Sequence, residues 1–217
     1  EFLRLSENRE VQAWFGDIRG RRPEIVNFQG DINDLVKQGM TSFHVSEERW
    51  RDPLLLEGGG LSKKELDNIQ IGWDAILDLD SKNLEFSFMC GELLTEALKF
   101  HDIKNYSIKF SGNHGLHIGI PFEAFPSFVN NVSIKDYFPD GVRVISEYLK
   151  NMIKDFLSAK ILEKYNLESA AKSVGKNAND LVINGKFDPF KLVDVDSILI
   201  SSRHLFRCAY SINEKSG

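Results

Sequence analysis

The stretch WDAILDLDSK, residues 73–82, sets two carboxylates two positions apart inside an apolar segment. Ala75, Ile76, Leu77 and Leu79 read as strand interior. Side chains at i and i+2 share one face of a strand, so Asp78 and Asp80 emerge side by side. Two adjacent anions repel, and burial strengthens the repulsion. A cation between them, or a proton on one of them, relieves it. A D-x-D pair is also common where a strand runs out into solvent, so the neighbouring segments decide what this pair means.

Those neighbours carry clear periodicities. GELLTEALKFH, residues 91–101, is expected to form an amphipathic helix with Leu94, Ala97 and Leu98 on one face. YSIKFS (106–111) alternates Tyr106, Ile108 and Phe110 with Ser107, Lys109 and Ser111. GNHG (112–115) reads as a turn, and LHIGI (116–120) as a strand with Leu116, Ile118 and Ile120 on one face. Residues 141–164 read as a long helix, followed by a polar region rich in Asn and Gly. VDVDSILI (193–200) and HLFRCAYSI (204–212) are late strand or strand–helix candidates.

The order is β-α-β-β-α-β, the split βαβ pattern. It implies an α+β, two-layer fold: an open mixed or antiparallel sheet of RRM-like type, helices on one face, the other face open. With the first and third strands as central neighbours, Asp78, Asp80 and His117 share the open face. The fourth strand, flanking the first, brings in Asp194 or Asp196.

Upstream, residues 9–28 read as a hairpin: REVQAWF alternates Val11, Ala13 and Phe15 with Glu10, Gln12 and Trp14, GDIRGRR turns, and EIVNF returns. SFHVS (42–46) reads as a further strand. Ser62 is a candidate N-cap, with Glu65 as its capping-box partner. We therefore expect one domain over residues 1–217. It comprises an N-terminal sheet layer (1–60), a core from 70–120 and 190–217, and a mainly helical segment (121–190).

The chain has 217 residues and a net charge of −5, with a pI of about 5.6. That balance argues against gripping nucleic acid by bulk positive charge, and leaves room for a local basic groove. No apolar run of 18 or more residues is present, so no membrane span is expected. The two cysteines, Cys90 and Cys208, form no C-x-x-C pair; neither a zinc site nor a disulfide framework is expected. A reducing compartment fits, cytoplasmic or, in a eukaryotic cell, nuclear. The opening EFLRL lacks a Met and no signal peptide is visible, so the chain reads as a piece of a longer one.

Carboxylates clustered on an open sheet suit Mg²⁺ or Mn²⁺, hard cations that bind through a few carboxylates and substrate phosphates. Two such ions about 3.5–4 Å apart clamp both oxygens of an in-line displacement at phosphorus. In SGNHGLHIG (111–119), small residues at 111, 112 and 115 let backbone N–H groups approach an anion, and Ser111, Asn113, His114 and His117 add donors. This loop suits a triphosphate. RHLFRCAYSINEKSG (203–217) adds Arg203, Arg207 and Lys215, with NEKSG as a turn. His44 and His101 read as surface or element-end residues, and PFEAFPSF (121–128) as core and lid packing.

Together these segments resemble the small catalytic subunit of archaeal and eukaryotic DNA primases. The family pattern of an R-E-[FV] strand, a D-[IL]-D motif, an S-G-x-x-G-x-H loop and a late Asp followed by a basic turn appears in order. Its counterparts are REV (9–11), ILDLDSK (76–82), SGNHGLHIGIP (111–121) and VDVD…RHLFRCAYSINEKSG. SEERWRDP (46–53) is similar to the family's S-x-x-x-Y-x-x-P segment.

The resemblance implies a nucleotidyltransferase that starts primers on single-stranded DNA from nucleoside triphosphates, using Mg²⁺ or Mn²⁺, beside a large partner subunit. It implies Asp78, Asp80 and Asp194 as catalytic metal ligands. Ser111, Gly112, Asn113, His114, His117, Arg207, Asn213 and Lys215 become the nucleotide-binding set. Counting back from RHLFR, the family spacing of the third carboxylate falls at Val195; Asp194 is preferred over Asp196 because VDV follows the apolar FKL lead-in.

The chain departs from the family at His114, where Arg is usual, and at Asn213, where His is usual. It lacks the zinc-knuckle cysteines, and it stops at the K-S-G turn, which implies truncation. Two other functions fit the same residues: a primase-like polymerase of repair, plasmid or defence origin, and a non-catalytic nucleic-acid-binding module.

Overall fold

Strand β1 (Ala75–Asp80) is buried in alternation, as its sequence demands. Ala75, Leu77 and Leu79 are fully buried, whereas Ile76 and Asp78 are half-buried and Asp80 is exposed. The computed structural model describes residues 2–196 and 201–216. The chain splits into two compact units. One comprises Glu1–Ala75, Pro121–Pro139 and Ser201–Gly217; the other comprises Ile76–Ile120 and Asp140–Ile200.

In the second unit, β1 leads to helix α1 (Leu84–Phe100), strands β2 (Ser107–Phe110) and β3 (Gly115–Ile120), helix α2 (Asp140–Lys164) and strand β4 (Asp194–Asp196). The sheet order is β4-β1-β3-β2. This is the expected split βαβ arrangement, with the first and third strands central and the fourth beside the first. Leu116, Ile118 and Ile120 of β3 and Val195 of β4 are buried with Leu77 and Leu79. Along α1 the buried apolar side chains are Phe86, Met89, Cys90, Leu94, Ala97 and Leu98; along α2 they are Val142, Leu149, Ile153, Leu157 and Ile161. Both helices thus bury one stripe at helical spacing. Each large apolar side chain taken out of water stabilises by roughly 1.5–3 kcal/mol.

Helix α1 begins at Leu84, earlier than the expected 91. Asn83 caps it, its side-chain oxygen accepting the Glu85 N–H at 3.2 Å, and Phe86, Met89 and Cys90 extend the apolar stripe backward. Asn166 caps a short helix, Leu167–Ser173. A two-residue hairpin then pairs Val182–Ile183 with Lys186–Phe187. Asn184 and Gly185 close it with φ of 50° and 76°, the Asn-Gly signature of a type I′ turn. The SILI half of VDVDSILI, residues 197–200, lies outside the described residues.

The other unit holds a four-stranded antiparallel sheet, in the order Leu205–Arg207, Ser42–Ser46, Val11–Phe15, Ile18–Arg19. The hairpin's return is therefore Ile18–Arg19 and not EIVNF. Gly16, at φ 63°, turns the chain early, and Pro23 has no N–H to donate to a longer ladder. Val11, Ala13, Val26, Phe43 and Cys208 form the core, with Phe2, Phe15 and Val45 packed on it. His44, expected near the surface, is buried and stacks on Trp14 at 4.4 Å between ring centroids. His101 sits at the C-terminal end of α1 as expected, its Nε2 3.1 Å from the Tyr148 hydroxyl. The Ser62–Glu65 capping box is present. Phe122 and Phe125 pack around Trp73, whose indole N–H donates to the Ile134 carbonyl at 3.1 Å.

This unit also buries ions. Glu10 is fully buried between Arg22 and Arg203, at 2.8 and 2.6 Å. Asp74 joins Arg9 and Arg49. Burial pushes the Glu48 carboxyl up to about 7, although the Arg203 backbone N–H and the Ser202 hydroxyl both donate to it.

Because Leu79 lies between the two aspartates but points to the helix side, Leu79→Ala tests the fold apart from the chemistry. It should destabilise the second unit by about 2–5 kcal/mol in urea denaturation. A loss below about 1 kcal/mol would mean that this side of β1 is not the packed one.

Candidate metal and nucleotide site

The antiparallel register of β4 on β1 places Asp194 opposite Asp80 and Asp196 opposite Asp78, with Val195 opposite Leu79. Directly opposed residues share a sheet face. The open face therefore carries a block of carboxylates two by two, while Leu79 and Val195 anchor it from behind. From the sequence, Asp194 and Asp196 are alternatives for the third carboxylate. The register puts both in the block, the first exposed and the second half-buried.

Beside Asp78 lies His117 of β3, its Nε2 3.3 Å from Asp78 Oδ1. The contact is close but not aligned as a hydrogen bond, and Asp78 Oδ1 is buried without a hydrogen-bond donor among the described residues. Lys109 of β2 is directly opposite His117. The Asp78 carboxyl is pushed up to about 7, first by burial and then by Asp80 and Asp196; Lys109 pulls the other way, and Asp194 adds a further push. In the sequence, Lys109 is marked only as one of the alternating polar residues of YSIKFS.

The SGNHG loop is shaped by its own bonds. The Ser111 N–H donates to the Gly115 carbonyl at 2.9 Å, and the Gly115 N–H donates to Ser111 Oγ at 3.1 Å. Gly112 has φ 92°, which favours glycine. Gly115 must be small for another reason. A Cβ there would stand 2.1 Å from the Leu79 carbonyl oxygen and 2.4 Å from Asp80 Oδ1. The His114 carbonyl accepts the Ser81 N–H at 3.3 Å and the Ser87 hydroxyl at 3.1 Å, tying the loop to the end of β1 and the start of α1. Asn113 and His114 are exposed.

Arg207, Asn213 and Lys215 belong to the other unit. Arg207 pairs with Glu214 at 2.6 Å. Asn213 is buried, and its Oδ1 accepts the Lys215 N–H at 3.1 Å, forming the turn expected over NEKSG.

The donor set suits a hard divalent cation: several carboxylate oxygens, one of them buried without a donor, on an open face. As the side chains stand, no three His, Cys, Asp or Glu groups among the described residues close into a coordination shell. The register supplies the positions for such a set.

No family model matches the chain. Over 141 residues it is 25% identical to an uncharacterised protein of Methanocaldococcus jannaschii, a match covering 63% of this chain and 29% of that protein. Among solved structures it is similar to the polymerase domain of ligase D from Mycobacterium tuberculosis, determined in complex with DNA. The TM-score is 0.51 at 14% identity, covering 95% of this chain and 59% of that one. The chain has the primase–polymerase fold. It spans less than two thirds of the length of either protein. No helix among the described residues is long and apolar enough to cross a membrane.

The raised Asp78 carboxyl has a stability consequence. The folded state holds this proton more tightly than the unfolded chain, so without divalent ions stability falls as pH rises from about 4 to about 7. Asp78→Asn removes the ionisation. In urea denaturation without divalent ions, the variant should gain about 2–4 kcal/mol over the parent at pH 8, and clearly less at pH 5. A gain equal at both values would show that Asp78 is not the strained anion.

Proposed function

We propose that the chain is the catalytic part of a metal-dependent nucleotidyltransferase that makes short primers on single-stranded DNA. The observation that carries this is the two-by-two block of carboxylates on the open sheet face, within a fold shared with a polymerase domain. Asp78, Asp80 and Asp194 would hold Mg²⁺ or Mn²⁺. Such ions would offset the carboxylate charge, lower the pKa of the attacking 3′-hydroxyl and neutralise charge developing on the phosphate. Asp196, half-buried opposite Asp78, would orient that carboxylate.

The chain's other residues bind and position. Ser111, Gly112, Asn113, His114 and His117 form the side of the site that meets the triphosphate of the incoming nucleotide. Gly115 keeps the loop against Asp80. By the family resemblance, Arg207, Asn213 and Lys215 of the other unit would also bind nucleotide. Catalysis of this kind is mainly positioning and charge stabilisation.

A second function has an observation in its favour. The fold neighbour is a polymerase domain on DNA, which fits a primase-like polymerase that extends strands as well as one that starts them. Synthesis on single-stranded template without primer separates the two.

The test is nucleotide addition from labelled nucleotides on single-stranded DNA, with each metal in turn. Asp78→Asn, Asp80→Asn and Asp194→Asn should each cost orders of magnitude, and Asp196→Asn roughly 10–100-fold. Near-normal addition by a folded Asp78 or Asp80 variant would remove the metal assignment; loss confined to Asp196→Asn would exchange it with Asp194.

His117→Ala should raise the apparent KM for the incoming nucleotide by about tenfold, with a smaller loss of kcat. Unchanged constants would confine His117 to its contact with Asp78.

A further inference from the structure

Beyond the C-terminal end of β1 lies a pocket of about 440 Å³ that no residue of the proposed nucleotide-binding set explains except His114 at its edge. Three lysines from three separate segments line it: Lys82 after β1, Lys176 after the short helix Leu167–Ser173, and Lys191 just before β4. Asp80 and Asp194 form the wall shared with the carboxylate block.

The pocket is held together by bonds between those segments. The Ser81 hydroxyl donates to the Leu192 carbonyl at 2.7 Å, and Asn83 Nδ2 donates to Ser173 Oγ at 3.3 Å. Lys176 Nζ donates to the Lys191 carbonyl at 2.6 Å, leaving two of its three ammonium donors for other partners. Gly175, at φ 73°, leaves room beside Lys82, whose Nζ would be 3.7 Å from a Cβ at that position. The three lysines outnumber the two carboxylates of the wall, so the lining favours an anion. The volume lies in the range of small-molecule sites, about 300–1,000 Å³.

The location narrows the anion. The carboxylate block has lysines on two sides. Lys109, opposite His117, stands on the β2–β3 side beside Asp78, and the lysine pocket stands at the Asp80 and Asp194 end. In an in-line displacement the attacking and leaving groups lie on opposite sides of the reacting phosphorus. One cationic flank therefore serves the triphosphate that is cleaved, and the other serves the nucleotide that attacks. A cluster of three lysines exceeds what one phosphodiester needs, and it matches a polyphosphate chain.

We propose that the Lys82–Lys176–Lys191 pocket binds the 5′-triphosphate of the nucleotide that supplies the attacking 3′-hydroxyl when the first bond is made. The proposal rests on the nucleotidyltransferase function given above. It makes the pocket a device for starting chains, since an annealed primer brings no triphosphate to that position.

The experiment uses the whole chain with Mn²⁺ and single-stranded template, at saturating incoming nucleotide. The initiating nucleotide is varied as triphosphate, monophosphate and nucleoside. The variants are Lys82→Ala, Lys191→Ala and the double; Lys176 is left alone because its ammonium also secures the Lys191 carbonyl. Each single variant should raise the apparent KM for the initiating triphosphate about tenfold, the worth of one charged hydrogen bond. The double variant should lose the parent's preference for triphosphate over monophosphate. Extension of an annealed primer with a 5′-hydroxyl should stay within about twofold of the parent.

Equal losses in initiation and extension, or a parent indifferent to the triphosphate, would overturn the proposal. Titration with inorganic tripolyphosphate, followed by calorimetry, separates this failure from failure of the function itself. Binding by the parent and not by the double variant, in a chain that adds no nucleotide, would keep the anion site and reject its role in initiation. No binding by the parent would remove the site.

Discussion

Everything at the candidate site depends on one unfavourable contact made permanent by favourable ones: carboxylates opposed across the β4–β1 ladder. Asp194 against Asp80 and Asp196 against Asp78 are like charges on adjacent strands, a pairing that weakens a sheet. The register nevertheless holds because the residue between them on each strand, Val195 on β4 and Leu79 on β1, is buried on the helix side. Slipping by one residue would turn Val195 out to solvent and an aspartate into the core. The hydrophobic side of the sheet thus fixes the acidic side, and the cost appears locally as an Asp78 carboxyl that resists ionisation.

The same constraint explains the conformation of the loop. Gly115 opens β3 where the Leu79 carbonyl and the Asp80 carboxylate leave no space for a side chain. Ser111 closes the loop back on Gly115 with two hydrogen bonds, and the His114 carbonyl is fastened by Ser81 and Ser87. The loop's backbone is therefore fixed relative to the carboxylates, while the side chains of Asn113 and His114 stay exposed. Such a division, with fixed backbone and reaching side chains, suits a site that must position a charged substrate without moving itself.

The helical segment that follows α2 contributes in the same way. Its lysines meet Lys82 only because Ser81, Asn83 and Lys176 bond across segments that lie far apart in the chain. In the other unit, the buried Glu10–Arg22–Arg203 cluster and the bonds from Glu48 to Ser202 and Arg203 fix the residues that lead into the Leu205–Arg207 strand. Buried ions of this kind add little net stability, but losing one partner costs about 3–5 kcal/mol, so they hold a segment to one path.

The sequence by itself determined the order of elements in the second unit and the facing of their side chains. Alternation has a period of two and helices a period near 3.6, both readable within ten residues, so β1, β3 and α2 stand close to where they were expected, with Asp78 and Asp80 on one face. Local chemistry that was present but overlooked accounts for the early start of α1 at the Asn83 cap and for the Asn184–Gly185 hairpin. Only the tertiary structure decided the rest. Whether Asp194 or Asp196 faces Asp80, that Lys109 acts on Asp78, that His44 is buried, and that Lys82, Lys176 and Lys191 share a pocket all depend on pairings between residues distant in the chain. Those pairings are set by which apolar surfaces are buried together and which backbone groups must find partners. That information resides in no single segment.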